Sequence, residues 1–191
     1  MRTSRLEAFS DGVLAIIITI MVLELQVPEE PTLEALRGSA AGFVTYLLSF
    51  IYVGIYWNNH HHMFQVVERV DGAVLWANLH LLFWLSLVPF ASAWLGENYF
   101  SPVPVALYGA VLLMLGFAYM ILAHLLVRQE GQESVIAKAI GKDRKALLSM
   151  ISYVVAIVLA PFLAPVSLAI YFAVALSWFI PDPRIERAMS S

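Results

Sequence analysis

Residues 5–23 read RLEAFSDGVLAIIITIMVL, and this stretch decides the fold because it sets charged and hydroxyl side chains at the mouth of a long apolar helix. At about 100° per residue, Arg5 shares one stripe of that helix with small and branched side chains, while Ser10 and Asp11 point roughly the opposite way. Polar groups in such a helix need partners on neighbouring helices. The stripe consists of Gly12, Ile16, Thr19, Ile20 and Leu23. The stretch therefore predicts a helix with two distinct faces.

The composition of the 191-residue chain predicts an all-α integral membrane protein. Hydrophobic residues make up 61% of the chain and charged residues only 13%, whereas soluble proteins carry about 25% charged residues. The mean hydropathy is +0.79. The scattered basic residues form no patch for nucleic acid. The chain has no cysteine, which excludes disulfides, thiolate chemistry and cysteine metal sites.

Apolar blocks divide the chain into membrane-spanning helices of roughly 20 residues each. The last uncharged block, 146–180, would extend roughly 52 Å as one helix, which is longer than a bilayer core. Pro161 and Pro165 break the helical ladder within it, so we predict a hairpin there. A single domain, 1–191, is thus expected to contain six transmembrane helices. They are predicted at about 4–26, 33–64, 72–96, 103–130, 143–163 and 166–181, with short helices opening near Pro31 and around Ile136.

Charge asymmetry supports this count and predicts an orientation. Lysine and arginine gather on the cytoplasmic side of membrane proteins. With six spans and an inside amino terminus, every basic residue except Arg37 lies inside, whereas five spans would place Arg184 and Arg187 outside. We therefore expect a multi-pass protein of the cell membrane with both termini in the cytoplasm. Arg2 and Arg5 resemble the start of a signal peptide, but Asp11 interrupts the apolar run, so we interpret it as a retained helix.

The inner ends of the first three helices gather polar side chains at one membrane depth. The simplest interpretation of Asp11 is a cap at the helix start. A sharper interpretation is that Ser10 and Asp11 bond to polar groups on the second and third helices. The expected partners are Trp57, His61, Asn78 and His80. The sequence therefore predicts a polar collar on the cytoplasmic side.

Consecutive histidines invite a metal interpretation, which helix geometry disfavours. Neighbours on a helix diverge by about 100°, so His60, His61 and His62 cannot converge on one ion. Together with His80 and His124 they could supply axial ligands for haem, so a haem-binding bundle is a weaker alternative. We expect no metal, no cofactor and no enzymatic activity.

The distribution of polar groups favours a passage between copies of the chain. The fourth to sixth helices are apolar all round and suit lipid, whereas the first helix suits the inside of an assembly. A conduit is then most easily formed on a symmetry axis. Rings of Ile16, Ile20 and Leu23 around that axis would gate by expelling water. The alternatives are plain packing or lipid contact for the isoleucines, and a hydroxyl bonded back to its own helix for Thr19.

Four motifs in the first three helices carry a resemblance to a known family. They are Arg5-x-x-x-Phe9-Ser10-Asp11, Tyr56-Trp57-x-x-His60-His61-x-x-Phe64, Asn78-x-x-x-Leu82-Phe83 and Pro89-Phe90. With these residues the chain resembles the transmembrane protein 175 family of potassium channels, in particular its bacterial members with a single repeat. Beyond the third helix the resemblance is one of topology and size.

The resemblance implies a homotetramer of six-helix subunits in which the first helix lines a central pore. Ile16 would form the narrowest ring, and Ile20 and Leu23 the next rings outward. The family's hydroxyl layer, which is tied to potassium preference, maps to Thr19. Ala15 stands where some relatives have serine, which implies weaker selectivity. The expected partners are the chain itself, potassium ions and the lipid bilayer.

The same resemblance assigns the motif residues Arg5, Phe9, Ser10 and Asp11 to a polar network that holds the helices together. A potassium-preferring cation channel is therefore the first functional hypothesis. A proton-coupled carrier is the alternative, because Asp11, Glu24 and the histidines offer a proton relay, although no broken helix pair or inverted repeat supports it. A weakly selective cation or proton channel and a haem-binding membrane protein remain as further alternatives.

Overall fold

The structure, a computed structural model, describes residues 2–140 and 144–179, and this part of the chain is built from α-helices. The helices are α1 (Thr3–Leu23), α2 (Leu33–Gly38), α3 (Ala40–Gln65), α4 (Gly72–Ser86), α5 (Val88–Glu97), α6 (Pro102–Glu130), α7 (Val135–Ile140) and α8 (Arg144–Phe179). Five helical segments of the described residues are long and apolar enough to cross a membrane: α1, α3, Gly72–Glu97, α6 and Lys145–Trp178.

The segment Gly72–Glu97 is one apolar stretch that the structure divides at Leu87 into α4 and α5. Pro89 has no N–H to donate to the carbonyl of Leu85, so the regular ladder of hydrogen bonds is interrupted there. The sequence predicts a single helix at 72–96. The break is therefore a feature that length and hydropathy alone did not predict.

The α8 segment reverses direction and forms a terminal hairpin. Leu163 has the non-helical dihedrals φ −141° and ψ 56°, and it lies between Pro161 and Pro165. The indole Nε1 of Trp178 donates to Ser149 Oγ at 3.0 Å, although 29 residues of straight helix would separate the two residues by about 43 Å. The two arms of α8 therefore lie side by side, as the prolines predicted. Residues 180 and 181 of the predicted last helix lie outside the described residues, as do Arg184 and Arg187.

Two short helices flank the longer ones. In α2, the Thr32 side chain accepts a hydrogen bond from Ala35 N at 3.2 Å, which is the usual way of starting a helix after a proline. The sequence analysis merged α2 with the following span at 33–64, but α2 ends at Gly38 and α3 starts at Ala40. The helix α7 lies in the charged link where an interfacial helix was predicted.

Packing places α1 and the terminal hairpin on different neighbours. The first helix packs against α3, α4 and α5, whereas the hairpin packs mainly against α6. The backbones of α3 and α5 touch closely, because a Cβ added to Gly96 would lie 2.9 Å from the Cα of Gly42. In a bilayer the hydrophobic effect does not drive helices together, because lipid is as apolar as leucine. Van der Waals packing at such close contacts holds them together instead. The arrangement leaves α1 with neighbours on one side only.

Candidate functional site

The first helix has one buried face and one exposed face. Its buried residues recur at helical spacing, so they share the side that packs on α3, α4 and α5. Ile17 is 3% exposed, whereas its neighbour Ile16 is 59% exposed. The buried residues are Thr3, Leu6, Ser10, Leu14, Ile17 and Met21. A helix of this kind contributes one face to its own subunit and presents the other to its surroundings.

The predicted pore stripe lies on the exposed face of α1. Ile16, Ile20 and Leu23 are 59%, 40% and 80% exposed, respectively. Gly12, Ala15 and Thr19 are exposed on the same side of the helix. With Ala15 included, the stripe thus combines branched apolar side chains with two small residues and one hydroxyl.

The hydroxyl of Thr19 is bonded to its own helix. Its Oγ1 lies 2.9 Å from the carbonyl oxygen of Ala15 and 2.8 Å from that of Ile16, so it donates its proton to the backbone. The lone pairs of Oγ1 stay free, because the two carbonyl oxygens have no proton to donate to them. Thr19 therefore presents an oxygen acceptor on the exposed face.

A buried chain of hydrogen bonds joins the amino-terminal halves of α1 and α4 to the carboxyl-terminal end of α3. Asn78 Nδ2 donates to Ser10 Oγ at 3.0 Å, and Ser10 Oγ donates to the Leu6 carbonyl at 2.9 Å. On the other side of the amide, Asn78 Oδ1 lies 2.8 Å from His60 Nε2. All three side chains are buried. Because the amide accepts at this oxygen, His60 carries its proton on Nε2 and donates.

A second set of contacts surrounds Asp11 on the more exposed side of α1. The Trp57 Nε1 donates to Asp11 Oδ1 at 3.0 Å. The His61 ring stacks on Trp57 with centroids 5.9 Å apart, and its Nδ1 lies 3.8 Å from a Glu7 carboxylate oxygen. Gln65 Nε2 contacts His61 Nε2 at 2.7 Å. Two acidic residues of α1 thus face the aromatic carboxyl-terminal end of α3.

Three residues assigned to the network in the sequence analysis lie elsewhere. The His80 Nε2 accepts from Trp84 Nε1 at 3.0 Å, within α4 itself. Phe9 is 55% exposed on α1. Arg5 is also exposed, and within the described part of the chain its side chain makes no hydrogen bond or ion pair. Of the predicted set, Ser10 and Asn78 share the buried hydrogen bonds, and Asp11, Trp57 and His61 belong to the second group of contacts.

The structure places His60 in the buried chain, whereas His61 alone of the three consecutive histidines was named among the expected network partners. The ring of His60 packs on Phe64 at a centroid distance of 4.6 Å and points toward α4, while His61 points toward α1. Among the described residues, no group of three histidine, aspartate or glutamate side chains is placed to hold a metal ion. The helical signal for His60 was its spacing of seven residues from Val53 and four from Phe64, which puts it on the buried face of α3.

Comparison with known proteins identifies the family. Residues 5–89 match the family model described as endosomal/lysosomal potassium channel TMEM175. A protein named potassium channel from Chryseobacterium sp. (strain P1-3) is 53% identical over 189 residues, which cover 99% of this chain and 98% of that protein. Another, from Streptomyces collinus (strain DSM 40733 / Tue 365), is 34% identical over 203 residues, 99% of this chain and 98% of its own length.

A solved structure agrees with these sequence matches. The crystal structure of a lysosomal potassium-selective channel TMEM175 homolog from Chamaesiphon minutus superposes with a TM-score of 0.77 and 29% sequence identity. The superposition covers 93% of this chain and 96% of that one. The motifs of the first three helices, the all-helical fold and the full-length relatives agree, and the chain belongs to the TMEM175 family of potassium channels.

Proposed function

We propose that four copies of this chain assemble with their α1 helices around a common axis and conduct potassium ions passively along it. The observation that carries this proposal is the exposure of the Ile16 stripe on a helix whose opposite face is buried. Branched side chains alone would also suit lipid. Gly12, Ala15 and the acceptor oxygen of Thr19 in the same stripe favour a protein-lined passage.

Six membrane crossings follow from counting the two arms of the terminal hairpin separately. Each arm of the described segment has roughly half of 36 residues, which is at the short end of what a bilayer core requires. With six crossings both termini lie on one side, and the basic residues favour the cytoplasm for that side. The polar collar then lies at the inner end of the passage.

The pore chemistry divides between a gate and a selecting layer. A ring of four Ile16 side chains excludes water when the passage is narrow, because an apolar constriction dewets. One turn outward, four Thr19 oxygens face a cation with their lone pairs, since their protons are given to the backbone. Ile20 and Leu23 continue the apolar lining toward the outer mouth. No charged residue interrupts this stripe between Gly12 and Leu23.

The test is the reversal potential of purified protein in a planar bilayer with potassium on one side and sodium on the other. A tenfold preference for potassium shifts the potential by about 59 mV, and an unselective pore reverses near zero. Thr19→Val, which keeps the shape and removes the oxygen, is expected to move the potential toward zero. Thr45→Val is a matched control, because Thr45 lies on α3 with its hydroxyl on the Ala41 carbonyl.

Proton coupling is distinguished in the same experiment. A current that requires a pH gradient, with no response to the potassium gradient, would replace the potassium-channel proposal with a proton pathway, which either a proton-coupled carrier or a proton channel would provide. If Thr19→Val reverses at the same potential as the wild type, Thr19 does not belong to the selecting layer.

A further inference from the structure

Two arginines lie directly opposite each other where the chain enters α1. Arg2 and Arg69 form an isolated antiparallel β-bridge between the start of α1 and the link from α3 to α4. Thr3 N donates to the Glu68 carbonyl at 3.3 Å beside this bridge, so the two arginines occupy a pair of the non-hydrogen-bonded type. The Cα atoms of such a pair are about 4.5 Å apart, and the side chains leave from the same face. The two arginine side chains therefore start side by side.

The chain does not neutralise these two charges. Both arginines are exposed, and neither side chain makes an ion pair or a hydrogen bond within the part of the chain that the structure describes. The Glu68 side chain leaves from the opposite face of the strand, since faces alternate along a strand. Asp71 uses its Oδ1 to accept from Val74 N at 2.8 Å, at the start of α4. Like charges directly opposite each other destabilise a strand pair, so an anion between the arginines would relieve this repulsion.

The pair is held in place without the use of either guanidinium group. Gln129, near the end of α6, donates from Nε2 to the Arg69 carbonyl and accepts at Oε1 from Asp71 N at 3.1 Å. On the other side, Arg2 directly precedes α1, whose first residue donates to Glu68. Backbone groups and one glutamine thus fix the bridge. A site whose frame is already fixed loses little conformational freedom when it binds.

The position of the pair along the chain places it at a membrane surface. Arg2 precedes α1 and Arg69 follows α3, and both helices are long and apolar enough to cross a membrane. In the second turn of α4, Trp76 is 75% exposed, and tryptophan is enriched where membranes meet water. The anions at that depth are the phosphate groups of lipids. In addition, the first turn of α1 contains no acidic side chain that would offset the positive end of the helix dipole.

We propose that Arg2 and Arg69 together bind the phosphate group of an anionic phospholipid. A guanidinium group presents its N–H donors as a planar fork that matches two phosphate oxygens. Two such forks that start side by side can each take oxygens of the same phosphate. Basic residues at the ends of membrane-spanning helices commonly recognise anionic headgroups in this way. Inorganic phosphate offers the same chemistry from solution, and the site does not depend on ion conduction.

The probe is dioleoyl phosphatidic acid, added to the full-length protein in detergent and followed by native mass spectrometry, which counts the lipids bound. Saturable binding is expected, and Arg2→Gln or Arg69→Gln should each weaken it about tenfold by removing charge-assisted hydrogen bonds. Arg69→Lys keeps the charge but loses the fork, so it should also bind less than the wild type. Arg37→Gln is the matched control, because it removes the same charge from an exposed arginine of α2.

Thermal unfolding gives a second arm that a merely structural role would not reproduce. Without lipid, Arg2→Gln should unfold at or above the midpoint of the wild type, because the repulsion between the arginines is gone. With phosphatidic acid, the midpoint of the wild type should rise more, since the ligand binds only the folded state.

Three outcomes would overturn the proposal. The first is binding of phosphatidic acid by Arg2→Gln and Arg69→Gln that equals the wild type, and the second is a loss in Arg37→Gln as large as in those variants. The third concerns the source of the phosphate. If inorganic phosphate raises the midpoint of the wild type as much as phosphatidic acid does, or if dioleoyl phosphatidylcholine binds equally well, the site does not select an anionic lipid.

Discussion

Asn78 joins three helices because an amide side chain donates and accepts at the same time. Its nitrogen bonds to Ser10 of α1 and its oxygen to His60 of α3, with all three side chains buried. Unpaired polar groups at this depth cost more than the hydrogen bonds gain. Through α4, the residue therefore fixes the distance between the amino-terminal half of α1 and the carboxyl-terminal end of α3.

Replacing Asn78 with leucine should destabilise the protein, because it leaves the buried His60 ring without its acceptor. We expect a loss of about 2 kcal/mol and a clearly lower thermal unfolding midpoint in detergent. Asn98→Leu is the control, since the exposed Asn98 side chain donates to the Trp94 carbonyl, four residues earlier in the chain. Equal midpoints for the two variants would contradict a structural role for the Asn78 amide.

Ile16 is the residue at which the proposed gate is tested. Ile16→Asn places polar groups in the ring and should let water remain there, which raises basal cation leak in liposomes. A change of about tenfold corresponds to about 1.4 kcal/mol in the barrier. Ile16→Val keeps the ring apolar and serves as the control. A leak that is the same in all three proteins would place Ile16 outside the gate.

Helical spacing predicted the two faces of α1, because the 100° rotation per residue is fixed by the backbone. The contrast between Ile16 and Ile17 follows from that rotation alone. The partner of each inner histidine could not be predicted in the same way. His60, His61 and His62 point in three directions, and only the packing of α1 against both α3 and α4 decides which ring meets Asn78.

At the scale of helices, proline chemistry explains both a correct prediction and an omission. Pro161 and Pro165 lie close together in a block too long for one helix, so a reversal was predicted, and Leu163 is where it occurs. Pro89 lies alone in a block of ordinary length, and the break at Leu87 shifts the chain without reversing it. Length distinguishes a reversal from a kink, but it gives no signal for the kink itself.

The contact between α6 and the hairpin depends on a missing side chain at Gly109. A Cβ there would overlap the Tyr171 hydroxyl and lie 2.9 Å from Ile157 Cγ1. Gly109→Ala should therefore lower the free energy of unfolding by about 1–3 kcal/mol, as overpacking does. The thermal unfolding midpoint falls with it. Gly54→Ala is the control, because nothing lies within 4 Å of its added Cβ.

A second substitution tests whether the clash is local. Tyr171 OH donates to the Val105 carbonyl at 3.1 Å, and Tyr171→Phe alone should cost about 1 kcal/mol. If the hydroxyl is the main obstacle, Tyr171→Phe should cost less stability in the Gly109→Ala background than in the wild type. Double-mutant cycles measure this kind of coupling. Strict additivity would indicate that Gly109 matters for another reason.

At the scale of the whole molecule, the proposed assembly predicts which surfaces meet between copies. The chain lacks cysteine, so a single introduced cysteine reports on one position without background. Leu23→Cys lies at the outer end of the exposed stripe, and copies around an axis should bring these thiols within reach of a short bis-maleimide cross-linker. Leu176→Cys is the matched control, because Leu176 is similarly exposed on the terminal hairpin.

Dimeric bands are expected for Leu23→Cys alone, since each subunit carries one thiol and is joined once. The native mass of the unlinked protein in detergent should correspond to four chains. Cross-linking that is equal at both positions, or stronger at Leu176, would place the hairpin rather than α1 at the contact between copies and would remove the basis for a pore along the first helix.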